Sequence, residues 1–158
     1  MNRAIRSMRR KEKEITDIKE IESVIQKTEI CHVAMVDGDR PYVVPMCFGY
    51  EAGVLFLHSA KAGRKIDILQ KNANVCVELE TDGVLVKNEK ACRFSMRYSS
   101  VVAFGRVRFI DDPDVKRHAL DIIMRHYADG PFSYSDEALE RMMILRVDIE
   151  NMTGKRSG

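Results

Sequence analysis

The sequence lacks the motifs and segments that would assign it to several common classes. Its four cysteines lie 16, 29 and 16 positions apart, so no C-x-x-C pair is present that could form half of a zinc site. No uncharged apolar run approaches the roughly 20 residues of a membrane span. Acidic residues also stand where a secretory signal needs its apolar segment. We therefore expect a cytoplasmic protein with no membrane partner, whose thiols are reduced.

Nucleotide-binding and hydrolytic motifs are also missing. The chain contains neither G-x-x-x-x-G-K-[ST] nor G-x-G-x-x-G, which argues against a nucleoside-triphosphate loop and a dinucleotide loop. His58 and Ser59 are adjacent, and neighbours on a strand point to opposite faces, so they do not indicate a Ser-His-Asp site. His118 and His126 are two helical turns apart, and we expect no metal site.

The positive charge is concentrated at the start of the chain. Residues 1–13 carry six cations and one anion, and the whole chain has a formal net charge of +2, so residues 14–158 sum to −3. A nucleic-acid-binding protein concentrates cations on its folded surface, whereas terminal segments are often frayed. We expect no nucleic-acid partner. Residues 1–16 are interpreted as a flexible basic leader, and residues 17–158 as a single domain.

Hydrophobic periodicity predicts an α+β, mainly β fold. Helical patterns cover residues 17–28, 63–71, 112–127 and 136–142, and strand patterns cover residues 31–36, 42–50, 54–58, 75–80, 101–110 and 143–149. Short hairpins without regular β-α-β alternation predict an antiparallel barrel with helices packed outside it. Pro45 cannot donate to a ladder, so its strand should lie at an edge, be bulged or border a cavity. Residues 81–97 lack a clear period and are interpreted as a long loop of unassigned role.

The strongest local signal for a binding site is the junction of a strand and a helix over residues 58–65. Three cations, Lys61, Arg64 and Lys65, lie within five residues there, and a helix N-terminus offers free N–H groups and a positive dipole end. Arg64 is suited to bidentate contact with a phosphate, and Gly63 lets the backbone approach closely. The alternative is a solvated basic turn.

Several segments together resemble one known family. They are Pro41–Pro45, His58–Ala60 and Gly63–Asp67, and they look like the FMN-binding split-barrel proteins related to pyridoxamine 5′-phosphate oxidase. Three further segments are most similar to the 5-nitroimidazole-resistance (Nim-like) branch, namely Met8–Lys11, Phe104–Arg106 and Thr153–Arg156. The resemblance covers about residues 8–156.

The resemblance implies a six-stranded antiparallel split β-barrel with Greek-key topology and peripheral helices. It also implies a homodimer with one FMN in each of two interfacial clefts, FAD being the alternative flavin. The residues that it implies for cofactor binding are Ser59, Arg64 and Lys65 at the phosphate, Val43, Val44, Pro45 and Met46 beside the isoalloxazine ring, and Ser100 and Lys155 as further contacts. His58 is expected at the ribityl or ring end and is the catalytic candidate.

Two of these expectations have ordinary structural alternatives. His58 shares a strand face with Val54 and Phe56, so it could be a hydrogen-bonded core histidine, and Ser100 could be an ordinary strand hydroxyl. The pyridoxamine phosphate oxidases also carry a C-terminal Arg-Leu-containing segment with a Trp near the flavin, and this chain has no Trp. That departure argues against vitamin B6 oxidation.

The expected function is therefore an FMN-dependent oxidoreductase that passes electrons to a small acceptor such as a nitroimidazole or nitroaromatic. In such an enzyme the flavin carries the hydride chemistry, and the protein binds it and orients it. A non-catalytic flavin- or haem-binding or sensing module is the alternative, because the same phosphate site would serve both.

Overall fold

The structure is a computed structural model that describes residues 8–158. Residues 1–7, which hold the start of the predicted leader, lie outside the described residues. The elements are β1 (Glu14–Ile15), α1 (Ile18–Lys27), β2 (Cys31–Asp37), β3 (Arg40–Met46), β4 (Gly49–Glu51), β5 (Val54–Ala60), α2 (Arg64–Lys71), β6 (Asn74–Val86), β7 (Ser95–Ile110), α3 (Pro113–Tyr127), α4 (Asp136–Arg141) and β8 (Met142–Ser157). Short 3₁₀ turns cover Lys11–Lys13 and Ala91–Arg93. The fold is thus α+β and mainly β, as predicted.

The helices begin where the sequence supplies capping side chains. The Asp17 carboxylate accepts a hydrogen bond from the backbone N–H of Lys19 at 2.9 Å, and α1 follows. Asp112 accepts from the N–H groups of Asp114 and Val115, both at 3.0 Å, and Pro113 occupies the first helical position, where its missing N–H costs nothing.

The prediction of six strands is wrong, because the structure has eight, all paired antiparallel. Their order is β3-β2-β6-β7-β8-β5-β4, and β1 pairs with β8. No pairing among residues 8–158 joins β3 to β4 and closes the sheet by hydrogen bonds. However, only Cys47 and Phe48 separate these two end strands, so the chain itself brings the two ends of the sheet together.

The predicted strand over residues 42–50 is two strands with a physical break. Phe48 is fully buried, and its N–H donates to the Tyr127 hydroxyl at 3.0 Å instead of to a ladder. Pro45 lacks an N–H altogether. The chain therefore leaves the ladder after Met46 and resumes it at Gly49, and the strand containing Pro45 does lie at an end of the sheet, as expected.

Residues 81–97 are a long hairpin and not the predicted loop. β6 continues to Val86 and β7 starts at Ser95, with a register shift between Thr81 and Val84. Val84 and Leu85 are 45% and 51% exposed, so consecutive residues on both faces meet solvent. A strand that is exposed on both faces shows no alternation of burial, which is the signal that periodicity relies on. The last strand likewise extends to Ser157, beyond the predicted residue 149.

Burial divides the sheet into an inner side and an outer side. The main core lies on the inner side, where α1 and α2 contribute Ile21, Val24, Ile25, Ile66, Ile68 and Leu69 to it. A second cluster forms where α3 and α4 cover Phe56 and Ile144 on the opposite side. The outer side of β3, β2, β6, β7 and the end of β8 carries exposed apolar side chains such as Val43 and Phe104. We call this surface the outer sheet face.

The end of the predicted leader belongs to this sheet. Glu14 pairs with Lys155 and Ile15 with Gly154, and Ile15 is only 4% exposed. Gly154 allows the contact, because a Cβ there would lie 2.9 Å from side-chain atoms of Ile15 and Ile21.

Candidate functional site

The N-terminus of α2 presents backbone N–H groups that no side chain caps. Gly63 is the N-cap residue with φ 128 and ψ 167 and makes no side-chain cap hydrogen bond. The first bonds to its carbonyl come from Ile66 and Asp67, at 2.9 and 3.1 Å. The N–H groups of Arg64 and Lys65 precede those bonds and have no partner within the helix. This end of α2 is therefore a positive, donor-rich site for an anion.

The Arg64 side chain connects this helix end to the first residues of β3. Its guanidinium lies 4.6 Å from the centre of the Tyr42 ring, and Nη2 is 3.5 Å from Oδ2 of Asp37. The Arg64 side chain is 56% exposed, so this long ion pair contributes little and leaves most of the guanidinium donors free. Arg64, one of the predicted phosphate residues, thus lies beside β3, the strand predicted to run along the ring.

Ser59 differs from the expectation in its surroundings. It lies on the inner side of β5 with Leu55 and Leu57, and it is 5% exposed. Its Oγ is buried and has no hydrogen-bond partner among the described residues. Leaving such a group unpaired costs about 1–3 kcal/mol. The enclosed hydroxyl is therefore an unsatisfied polar group four residues before the α2 N-cap, and it fits a site that a polar ligand or water completes.

The four predicted residues of β3 divide between the two sides of the sheet. Val43 is 58% exposed, and Met46 is 7% exposed and packs in the main core; Val44 also packs against the core. Only the side chains of Val43 and Pro45 face outward, so Val44 and Met46 offer a ligand their backbone alone. Their strand ends the sheet, which leaves backbone groups along one edge free of a strand partner.

Ser100 and Lys155 form a separate group. They are paired across β7 and β8, and Nζ of Lys155 donates to the Tyr98 hydroxyl at 3.1 Å. The path from β3 crosses β2 and β6 before it reaches β7 and then β8, so steps of about 4.8 Å place Ser100 roughly 15 Å and Lys155 roughly 19 Å from β3. The structure does not bring these residues to the α2 N-terminus of the same chain.

His58 shares its strand face with Phe56, as the sequence predicts, but it is not a core residue. The side chain is exposed, and it makes no hydrogen bond or ion pair within residues 8–158. It lies at the end of β5, five positions before Gly63, near the end of the candidate site that is predicted to hold a phosphate.

Sequence reasoning missed a polar pair in the middle of the outer sheet face. His32 on β2 pairs with Pro45 of β3 on one side and with Glu78 of β6 on the other. The imidazole Nδ1 lies 3.2 Å from Oε2 of Glu78. Alternation along β2 places His32 on its partly exposed side, but only the strand register identifies its partner.

The cysteine beside this pair does not supply a nucleophile. Burial raises the pKa of the Cys76 thiol, and the charge of Glu78 raises it further. On the inner side, burial raises the pKa of Cys31 to about 12. Since the thiolate is the reactive form, both thiols remain protonated at neutral pH.

Residues 8–158 contain neither a candidate metal centre nor a candidate membrane-spanning helix. The described side chains include no group of three or more His, Cys, Asp or Glu residues placed to hold a metal ion. Within the same residues, no helix has the length and apolar character needed to cross a membrane.

Comparison with known proteins identifies relatives of this arrangement. The family profile described as pyridoxamine 5′-phosphate oxidase matches residues 17–156. A solved structure of a candidate 5-nitroimidazole antibiotic resistance protein from Bacteroides thetaiotaomicron is 46% identical, with 90% of this chain and 86% of that chain covered and a TM-score of 0.83. A search of curated proteins found no match.

Two more distant structures share the fold. A flavocytochrome from Azotobacter vinelandii is 21% identical, with 96% of this chain and 72% of that chain covered and a TM-score of 0.84. An FAD and haem binding protein from Mycobacterium smegmatis is 22% identical, with 92% and 73% covered and a TM-score of 0.83. The family match spans most of the chain and confirms the resemblance drawn from the sequence motifs. The chain therefore belongs to the pyridoxamine 5′-phosphate oxidase family and is similar to a candidate 5-nitroimidazole antibiotic resistance protein.

Proposed function

We propose that this protein binds FMN at the N-terminus of α2 and along β3, and that it is an oxidoreductase acting on a small acceptor such as a nitroimidazole or nitroaromatic. The observation that carries the proposal is the contact of Arg64 with Tyr42 at 4.6 Å. This contact places the cationic N-terminus of α2 next to β3, an end strand of the sheet. The phosphate and the attached ring system of one cofactor would therefore bind to neighbouring surfaces.

The residues present fit the phosphate end of such a cofactor. Arg64 and Lys65 supply cations, and the first N–H groups of α2 supply donors that an anion completes. Ser59 supplies a buried hydroxyl without a partner. His58, exposed beside this end, is proposed to contact the cofactor on its ribityl side. The flavin, when bound, supplies the two-electron chemistry.

A two-chain site accounts for the second group of residues. Ser100 and Lys155 lie roughly 15 Å and 19 Å from β3 across the sheet, which is farther than the ring system of one flavin extends. They reach a cofactor on β3 only if they come from another copy of the chain. The exposed apolar side chains Val43 and Phe104 on the outer sheet face support its burial in a homodimer. We propose that the homodimer places Ser100 and Lys155 of one chain at the cofactor of the other.

The proposal is tested by calorimetry with FMN, FAD and riboflavin. Replacing Arg64 and Lys65 together by Ala removes two charge-assisted contacts worth about 1.5–3 kcal/mol each. We expect FMN affinity to fall by at least about a hundredfold, whereas affinity for riboflavin, which has no phosphate, stays unchanged. The matched control replaces Lys19 and Lys27 on α1, both exposed, and removes the same charge away from the site. FMN binding that is equally tight in both double variants would falsify the phosphate assignment.

A second candidate function is a flavin- or haem-binding module without turnover. The two distant structures named for flavocytochrome and for FAD and haem binding support it. If the protein is an enzyme, nicotinamide donors should bleach the flavin bands under anaerobic conditions, and a nitro compound should restore them. If it is a module without turnover, flavin should bind but no nicotinamide donor should reduce it. A haem-binding module should show a Soret band in the purified protein.

A further inference from the structure

The outer sheet face holds one histidine oriented by a carboxylate. His32 and Glu78 occupy paired positions of β2 and β6, and Nδ1 of the imidazole is 3.2 Å from Oε2 of Glu78. The two side chains are 45% and 37% exposed. Because they are only half covered, the pair is accessible to a molecule lying on this face.

The geometry fixes which ring nitrogen is free. A carboxylate only accepts hydrogen bonds, so Nδ1 must be the donor toward Glu78. Nε2 then has no partner among the described residues. A carboxylate on Nδ1 also stabilises the imidazolium, in which Nε2 carries a proton that it can give away. The pair therefore has the form of an oriented proton donor.

The other histidines have different surroundings. Nε2 of His126 lies 2.7 Å from the Thr28 carbonyl and donates to it. His118 lies 3.6 Å from Glu51 on the helical side of the molecule, and His58 makes no hydrogen bond within residues 8–158. Of the histidines in the described part of the chain, His32 alone combines a carboxylate partner with a place on the outer sheet face.

Neighbouring charges do not compete with Glu78 for the imidazole. On β3 the outward neighbours of His32 are Pro45 and Val43, which do not titrate. On β6 the titratable groups are Cys76 and Glu80, which flank Glu78, and β7 opposes Glu78 with Val102. Lys155 on β8 donates to Tyr98. Glu78 is the carboxylate directly opposite His32, and it is the acceptor that orients the imidazole.

We propose that His32 is the proton-donating catalytic residue for reduction of the acceptor, and that Glu78 is the residue that positions it. This inference rests on the proposed function, because Pro45, the strand neighbour of His32, is one of the residues assigned to the ring. For a nitro acceptor the step is R–NO₂ plus hydride plus one proton to R–NO plus water. A reduced flavin, when bound, would supply the hydride and its two electrons. Nε2 of His32 gives the proton as one N–O bond breaks, and solvent reprotonates the imidazole.

The test separates acceptor reduction from cofactor binding in the FMN-loaded protein. His32→Gln should leave FMN affinity and the rate of flavin reduction by the donor within a few-fold. It should slow reoxidation by a nitro compound by about 10²–10⁴-fold, the usual effect of a general acid. The wild-type reoxidation rate should fall as pH rises, because the proton donor is lost, and the His32→Gln profile should be flat. His118→Gln, which alters a surface histidine near Glu51, is the control and should behave like the wild type.

A second measurement does not depend on turnover. The ¹⁵N resonances of the His32 imidazole, recorded by NMR in the wild type and in Glu78→Ala, report which ring nitrogen carries the proton of the neutral ring. The wild type should carry it on Nδ1, toward Glu78, and loss of the carboxylate should remove that preference. A wild-type ring with its proton on Nε2, or a His32→Gln reoxidation profile that still follows the wild type, would overturn the proposal. If FMN does not bind at all, the proposed function fails; if FMN binds and reoxidises normally in His32→Gln, only this inference fails.

Discussion

Replacing Gly63 measures the cost of the backbone conformation at the candidate phosphate site separately from any steric clash. With φ 128 and ψ 167 it lies in a region that is essentially restricted to glycine, and another residue there costs about 1–3 kcal/mol. A Cβ on Gly63 would meet no atom within 4 Å, so no steric clash adds to this cost. Gly63→Ala should therefore destabilise the protein by about 2 kcal/mol, which lowers Tm by roughly 4–8 °C for a chain of this size.

Gly83→Ala is the matched control for that measurement. Gly83 also has no atom within 4 Å of its ideal Cβ, and its φ lies outside the left-handed region. It should change stability by no more than about 1 kcal/mol, and the sign should favour the variant. Urea unfolding of both variants gives the comparison. The reasoning is refuted if the two variants are equally stable.

The same variant links strain to binding. The conformation at Gly63 aims the first N–H groups of α2, so a residue that moves out of it redirects those donors. FMN affinity of Gly63→Ala, measured below the unfolding transition, should fall while riboflavin affinity does not. An equal loss for both ligands would show that the substitution acts on the ring surface or on the whole fold and not on the phosphate donors.

Two other substitutions test how the layers are held together. Gly49→Ala would place a Cβ 2.6 Å from the Ile123 nitrogen and 2.7 Å from the Ile122 carbonyl atoms. Because these are backbone atoms of α3, the helix must move, and we expect the free energy of unfolding to fall by about 1–3 kcal/mol. Urea unfolding, with Gly83→Ala as the control, measures this loss. Lys116 is 2% exposed and donates to Asp111 and the Leu139 carbonyl at 2.7 and 2.8 Å, so Lys116→Met should cost about 1–3 kcal/mol at pH 7 by leaving a buried carbonyl unpaired. The hydrogen bond from Lys116, aided by Lys61, holds the pKa of Asp111 below its ordinary 3.8. A lowered folded-state pKa contributes stability that is present above the ordinary value and is lost as pH falls through the lowered one. The gap between wild type and Lys116→Met should therefore narrow below about pH 4, and a gap that is constant from pH 7 to pH 3 contradicts the ion pair.

The parts of the fold that were predictable are those whose signals are local. Asp17 and Asp112 cap helices within a few residues of themselves, and one buried side gives β2 a period of two. The strand over residues 42–50 was misread because its break depends on Tyr127, which is 79 positions away from Phe48. The hairpin over residues 81–97 was misread because neither of its faces is buried.

The candidate site shows the same division. The phosphate end was predictable because Gly63, Arg64 and Lys65 are consecutive and follow a strand. The β3 residues were predictable as a segment, but their division into inward Val44 and outward Val43 depends on which side of the sheet is covered. α1 and α2 decide that, and they lie outside the segment.

The pairing of His32 with Glu78 depends on the pairing of two strands that are far apart in the sequence. His32 and Glu78 are 46 positions apart in the sequence, and their contact requires that β2 and β6 pair in one register. A slip of one residue would turn one of the two side chains to the opposite side of the sheet. That register is fixed by burial on the inner side, where Val33 and Val77 are paired and both are 1% exposed or less. The apolar core thus determines the geometry of the polar pair on the other side. Core residues that do not contact His32 therefore set the register that brings it to Glu78.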